Sequence, residues 1–225
     1  MDRDGDLDLI ASSVRGAIVY KNRGDGMFTD GKATITSLTV RSTAVADIDG
    51  DGDLDVVTAI TGQPNRVYKN DGKGAFTEYG PRLGSWATTD IVLGDMDRDG
   101  DLDVVEGNYG QPNRIYFNDG TGWFTDSGLA LGNECTNAIA VIDVDCDGDL
   151  DILEGNSSTF DKIYRNDGNG NVSIALFWLE ETTFSYAVGD FDRDGDDDVF
   201  VANFGLNSTG PTGPQVRDDS LHFVR

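Results

Sequence analysis

Basic residues are scarce in this chain. Seventeen Lys and Arg face 41 Asp and Glu, a formal net charge of −24. No stripe of Lys and Arg exists that would hold a polyanion, which argues against nucleic acid and against anionic membrane surfaces as partners. Long apolar runs are missing too. Nothing approaches the roughly 18 residues of a transmembrane helix, and no basic-then-apolar leader marks a signal peptide. Histidine occurs once, as His222 among the last four residues. No Ser or Cys nucleophile has a partner base, so a hydrolytic triad is not expected and the chain reads as a non-enzyme. The two cysteines, Cys135 and Cys146, fall at opposite ends of one expected strand. At ~3.3 Å per residue they are ~20 Å apart, too far for a bridge.

The acids that are present are concentrated. Asp residues at alternate positions form five clusters, four in the opening stretch and five in each of the others, together 24 of the 41 acids. The remainder of the chain is electrically balanced. The clusters read "MDRDGDLD" at 1, "DIDGDGDLD" at 47, "DMDRDGDLD" at 95, "DVDCDGDLD" at 143 and "DFDRDGDDD" at 190, the last four spaced 48, 48 and 47 residues apart. More recurs than acid. Tyr20, Tyr68, Tyr116 and Tyr164 are each followed two residues later by Asn22, Asn70, Asn118 and Asn166. Eight residues after each Tyr stand Phe28, Phe76, Phe124 and, in the fourth copy, Val172.

Each copy has the elements of four short strands. An apolar run such as "TDIVLGD" precedes the acids, a β-branched run such as "LDVVEGN" follows them, and "NRIYFND" turns at Asn-Asp-Gly into "WFTDSG". Four strands per ~48 residues is the period of a propeller blade, and no helical periodicity competes. The expected fold is all-β, a propeller of four-stranded antiparallel blades. It occupies 1–225 as one domain or propeller fragment, with repeats near 1–46, 47–94, 95–142, 143–189 and 190–225. The opening copy lacks the strand before its acids and the first Asp, and the last copy keeps its outer hairpin only as "PQVRDDSLHFVR". The expectation is a piece of a larger propeller, with a closed five-bladed ring as the alternative.

The acidic loops point to a metal. Carboxylates at loop positions 1, 3 and 5 converge when the backbone curls, and Gly at position 6 permits the sharp turn. Five carboxylates in nine residues repel one another unless a hard cation sits between them, and an all-oxygen, flexible loop favours Ca²⁺. Asp95 to Glu106 and Asp143 to Glu154 also fit the EF-hand spacing. Gly107, Gly110 and Pro112, however, would break the helix that such a loop needs. The twelfth position is Ala11, Thr58 and Val201 in the other copies, so the EF-hand reading is set aside and Glu106 and Glu154 are left as strand residues without an assigned role.

This motif between two strands, followed by "NRVYKNDGKGAFTE", resembles the FG-GAP or VCBS repeat of integrin α-subunit propellers and bacterial secreted proteins. The resemblance implies a metal held by the carboxylates at positions 1, 3, 5 and 9 and the backbone carbonyl at position 7. Carried over, the ligands are Asp47, Asp49, Asp51, Asp53 and Asp55; Asp95, Asp97, Asp99, Asp101 and Asp103; Asp143, Asp145, Asp147, Asp149 and Asp151; and Asp190, Asp192, Asp194, Asp196 and Asp198. The first loop retains only Asp2, Asp4, Asp6 and Asp8 and is expected to be the weakest of four to five Ca²⁺ sites. The low Ca²⁺ affinity of extracellular modules, roughly 10⁻⁴–10⁻³ M, places such a protein outside the cell or on its surface.

The loops opposite the acids differ between copies and are where recognition is expected. They are 12–17, 59–65, 107–113, 155–161 and 202–215. Asn108, Tyr109, Gln111, Phe160, Phe204 and Trp86 are the candidates there for a sugar or peptide. The resemblance implies a recognition or adhesion module for protein or glycan, with a non-catalytic accessory propeller of a secreted enzyme, such as a polysaccharide lyase, as the alternative. Arg23-Gly24-Asp25 spells an integrin-binding tripeptide but aligns with the hairpin turns at Asp71-Gly72 and Asp119-Gly120. Asn156, Asn171 and Asn207 head Asn-x-Ser/Thr triplets and read as turn residues.

Overall fold

The computed structural model describes residues 1–157, 159–177, 182–204 and 215–217, with side chains described at all of these except 30–33, 176, 177, 204 and 215–217. His222 and Asn207 lie outside the described residues, as does the last stretch "PQVRDDSLHFVR" apart from the backbone of Gln215 to Arg217. The described elements are all β. They form five antiparallel sheets in sequence order.

Blade 1 holds β1 (Leu9–Ser13), β2 (Gly16–Asn22) and β3 (Phe28–Thr36). Blade 2 holds β4 (Val40–Ala46), β5 (Asp55–Ile60), β6 (Asn65–Asn70) and β7 (Phe76–Leu83). Blade 3 holds β8 (Thr88–Gly94), β9 (Asp103–Asn108), β10 (Arg114–Asn118) and β11 (Phe124–Asp126). Blade 4 holds β12 (Thr136–Ile142), β13 (Asp151–Asn156), β14 (Lys162–Asn166) and β15 (Val172–Phe177). Blade 5 holds β16 (Thr182–Gly189), β17 (Asp198–Phe204) and β18 (Gln215–Arg217). The four-stranded repeat read from the sequence is present in blades 2 to 4.

In blades 2, 3 and 4 the second strand (β5, β9, β13) is buried along its whole length. The reason is its position. A sheet stacked between two others has two covered faces, so its strand carries an unbroken β-branched run rather than an alternation. The four hydrophobic cores lie between consecutive blades. Val19, Val56 and Tyr68 join blades 1 and 2; Ile48, Val57, Val104 and Tyr116 join blades 2 and 3. Met96, Ile115, Ile152 and Tyr164 join blades 3 and 4; Ile142, Leu153 and Val199 join blades 4 and 5. The repeated Tyr is thus the residue that docks one blade on the preceding one. Stability in such an array is a sum of blade terms and nearest-neighbour interface terms.

The inner strands β4, β8, β12 and β16 lie side by side. A β-bulge recurs near the start of each, at Val40/Ser42, Thr88/Asp90, Thr136/Ala138 and Thr183/Ser185, and it bends the strand as it leaves the outer loop. Together these strands line an open apolar groove of about 410 Å³, with Val45, Leu93, Val141 and Val188 among its walls.

Candidate metal centre

In blades 2 to 5 the acidic loop joins the first strand to the second, and the Asn-Asp-Gly hairpins reach the same edge. Direct contact shows it: a Cβ on Gly72 would lie 2.6 Å from a carboxylate oxygen of Asp53, and Gly120 stands in the same relation to Asp101. Only glycine fits there. At position 6 of the loops, Gly52, Gly100, Gly148 and Gly195 have φ between +85° and +99°, the left-handed turn that a side chain disfavours. Position 4 is left-handed as well, and it carries the described non-glycine residues of positive φ: Arg3, Arg98, Cys146 and Arg193. Each costs on the order of 1 kcal/mol, which the same fold in four loops shows to be over-determined by its surroundings.

The turns bring carboxylates together. One oxygen from each of Asp47, Asp49 and Asp55 lies within 4.8 Å of the others, and the same holds for Asp95, Asp97 and Asp99, for Asp143, Asp145 and Asp151, and for Asp190, Asp192 and Asp194. Positions 1, 3, 5 and 9 are each represented. Among the described residues, Asp2, Asp4, Asp6 and Asp8 of the first loop form no such group. Backbone amides hold the frame: Gly52 N donates to Asp47 Oδ2 at 2.9 Å and Asp53 N to Asp51 Oδ1 at 2.8 Å, while Gly100 N and Asp101 N do the same in the third loop.

The donor set fits a hard divalent cation. Asp47 Oδ1, Asp95 Oδ1 and Asp145 Oδ1 are buried without a hydrogen-bond partner, and a buried orphaned carboxylate oxygen needs compensation. The position-9 carboxylates are more deeply held. Asp103 accepts Met96 N at 2.8 Å and Asn118 N at 2.9 Å, and Asp55 and Asp151 repeat the pattern. Burial pushes Asp103 up to about 7 and Asp55 and Asp151 up to about 6, against the pull of those amides. A bound cation would supply positive charge where these groups otherwise resist ionising.

The repeated Asn ties the loops of neighbouring blades. Asn118 Nδ2 donates to Leu102 O in its own blade and to Ile48 O in the preceding one; Asn166 and Asn70 make the same pair of bonds to Met96 and Met1. Position 7 has a different task from the one its acid suggests. The Asp53 carboxylate meets Arg3 Nε at 2.5 Å and the Asp149 carboxylate meets Arg98, each Arg reaching over from the loop one blade earlier. These carboxylates are not among the converging oxygens, which is consistent with a backbone carbonyl as the position-7 donor.

At the opposite edge the structure assigns roles to residues the sequence left open. Glu154 Oε1 accepts Asn156 Nδ2 at 2.8 Å, and Oε2 accepts Tyr164 Oη at 2.8 Å and Asn113 Nδ2 at 2.9 Å. Asn113 belongs to blade 3, so this network crosses the blade boundary. Asn65 of blade 2 repeats it, donating to Glu106 Oε1 at 2.6 Å and to Thr88 Oγ1. In the next boundary Asp161 stands where Asn65 and Asn113 stand, accepting from Thr183 and Tyr186. Burial pushes Glu106 up to about 7 and Asp161 up to about 6. The recurring Pro-Asn at 64–65 and 112–113 and the Glu at 106 and 154 were the available signals. Glu106 points into this network from β9, with no helix on either side, so it is not the twelfth ligand of an EF-hand.

Of the recognition candidates, Tyr109 and Phe160 are 50% and 44% exposed. Trp86 is half-buried under the Arg114 guanidinium, 5.2 Å from the ring centroid, and Gln111 accepts Ala87 N at 2.8 Å. Asn108 is fully buried, its carboxamide committed to Thr88 and Pro112 and its amide to Asn113. It therefore presents nothing to a ligand in this arrangement. The Phe204 side chain lies outside the described residues. Cys135 and Cys146 are unbridged.

Two kinds of likeness accompany this geometry. The signature of the FG-GAP-like repeat matches residues 1–58, 47–106, 95–154 and 143–201. No curated protein matches the chain. Among solved structures, an Agrocybe aegerita lectin, studied for its specific recognition of non-reducing terminal N-acetylglucosamine, superimposes with a TM-score of 0.58 at 19% identity over 95% of this chain. The chain spans 63% of that lectin's length. The computationally designed protein Ika4 superimposes with a TM-score of 0.50 at 12% identity, over 80% of this chain and 92% of the other. At these identities the likeness is one of fold. With four signature matches running from residue 1 to residue 201, the chain belongs to the FG-GAP-like repeat family and folds as an array of propeller blades.

Proposed function

We propose that this chain is a calcium-binding recognition module, non-catalytic in itself, that works outside the cell or on its surface and takes a glycan or protein ligand. The observation that carries the metal part is the convergence of three carboxylate oxygens in each of four loops, with buried oxygens that lack any partner in three of them, at Asp47, Asp95 and Asp145. Repulsion among so many converging carboxylates is hard to tolerate unless a cation sits between them. Ca²⁺ suits the flexible all-oxygen loops, and the affinity usual for such loops suits an environment where Ca²⁺ is plentiful. Among the described residues no helix is long and apolar enough to cross a membrane.

Recognition is assigned to the edge away from the metals, where Tyr109 and Phe160 are exposed and Trp86 and Gln111 are half-buried. Aromatic faces next to amide groups stack on and hydrogen-bond to sugars, and they also suit extended peptides. A lectin that superimposes on this chain recognises terminal N-acetylglucosamine, which supports a glycan ligand by analogy at the level of fold. A glycan array probed with the chain in Ca²⁺ and after chelation tests the reading. Binding that weakens at least about tenfold in Tyr109→Ala, with the melting temperature unchanged, is the expected result. Binding unaffected by Tyr109→Ala and Phe160→Ala would move the ligand site elsewhere.

A further inference from the structure

The four loops of blades 1 to 4 are alike in sequence but differ in the protein cations placed against them. In blade 2, Lys69 Nζ lies 2.8 Å from Asp49 Oδ2 and Arg3 binds Asp53. In blade 4, Arg165 lies 3.2 Å from Asp145 Oδ2 and Arg98 binds Asp149. In blade 1, Lys21 lies 3.0 Å from Asp2 Oδ2. The rule behind these pairs is positional. The residue after the repeated Tyr covers the position-3 Asp of its own loop, and the position-4 residue of one loop covers the position-7 Asp of the next.

Blade 3 breaks both halves of the rule. Its residue after Tyr116 is Phe117, and the loop before it has Gly50 at position 4. Among the described residues, neither Asp97 nor Asp101 meets a Lys or Arg. Arg98 lies within this loop in sequence but donates to Asp147 O and pairs with Asp149 of the following blade. The third loop therefore holds five carboxylates with no protein cation, whereas the second and fourth each have two.

We propose that loop 95–103 is the tightest of the Ca²⁺ sites in blades 1 to 4, and that Lys69, Arg3, Arg165 and Arg98 act as internal competitors that weaken the second and fourth. This rests on the calcium reading above and goes beyond it by ranking the loops. Affinity in such loops is set by ligand charge and by rigidity. Rigidity is shared, since the same amide-to-carboxylate bonds frame loops 2, 3 and 4, so charge decides. A single positive side chain about 5 Å from a divalent ion lowers its affinity roughly tenfold even at solvent-like screening.

The test is calcium titration calorimetry on the whole chain and on folded single variants, checked by circular dichroism. Asp97→Asn removes one equivalent from the tight class, while Asp49→Asn and Asp145→Asn leave that class intact. Gly50→Arg brings a cation to Asp101 at a position where Arg3 and Arg98 already adopt the same left-handed backbone and where an added Cβ meets nothing within 4 Å. It weakens the tight class about tenfold. Lys69→Met tightens a weak equivalent about tenfold. Ca²⁺ bound with the tight equivalent untouched by Asp97→Asn, or lost with Asp49→Asn or Asp145→Asn, overturns the ranking and leaves the calcium reading standing. No Ca²⁺ bound at any stoichiometry overturns both.

Discussion

The two edges of the blade array both gather carboxylates, and they stabilise them in opposite ways. At the loop edge, Asp47, Asp95 and Asp145 keep buried oxygens with no partner in the protein, and the compensation has to come from outside. At the other edge, Glu154 has both oxygens filled by Asn113, Asn156 and Tyr164, with Lys162 3.7 Å from Oε1, and Glu106 keeps one oxygen, Oε2, without a partner. A site that needs an ion stays conditional on its supply, whereas a site closed by amides and hydroxyls is part of the permanent frame. Under the calcium proposal an ion would act on the loops, while the Glu154 network holds its blade boundary without one.

Chelation is the sharpest way to separate the edges. Removing Ca²⁺ is expected to lower the melting temperature by more than about 15 °C. Each ion present at about 100 times its Kd contributes roughly 2.7 kcal/mol of linkage, and each kcal/mol is worth about 2–4 °C in a chain of this size. Scanning fluorimetry with and without chelator reads it, and coincident curves would remove the metal from the account. Next in size, Glu154→Ala leaves Asn113, Asn156 and Tyr164 without their acceptor in a buried boundary, at a cost of about 3 kcal/mol. Denaturant unfolding should show the same loss in Ca²⁺ and in chelator; a loss seen only in one condition would mean that the edges are coupled.

The smallest effect concerns pH. Glu106 has a folded pKa pushed up to about 7 by burial, from an ordinary value of 4.5. Between those values the folded chain holds a proton that the unfolded chain has released, so the native state loses stability as pH rises through the window and no further above it. Glu106→Gln keeps an acceptor for Asn65 and removes the proton. It is expected to flatten the pH dependence between about 4.5 and 7 by on the order of 2 kcal/mol, measured in saturating Ca²⁺. Parallel stability profiles for the two proteins would show that Glu106 stays ionised when buried.

The convergence of the loop carboxylates was legible because its geometry is local. Alternating Asp with Gly at the sixth position already specifies a turn of left-handed backbone, and Gly52, Gly100, Gly148 and Gly195 adopt it. The repeated Tyr and Asn were visible as repeats but not as fasteners, since Tyr164 packs with Met96, and Asn166 reaches its carbonyl 70 residues away. Asn108 read as a loop amide free for a ligand. It is buried because Thr88 and Asn113, from an adjoining strand and hairpin, close over it. Glu106 and Glu154 had no evident role for the same reason, their partners Asn65 and Asn113 being 41 residues upstream in another blade.

By itself the sequence determined the repeat, the strands within it and the carboxylates that turn toward a common point, because each depends on residues within a few positions of one another. Only the tertiary structure decided which of those carboxylates meets a protein cation. Arg3 reaches Asp53 and Arg98 reaches Asp149 across blade boundaries, and the stacking of blades brings together charges about one repeat apart. Nine-residue motifs that look interchangeable on paper thus become different electrostatic sites, because charge interactions act through space and not along the chain.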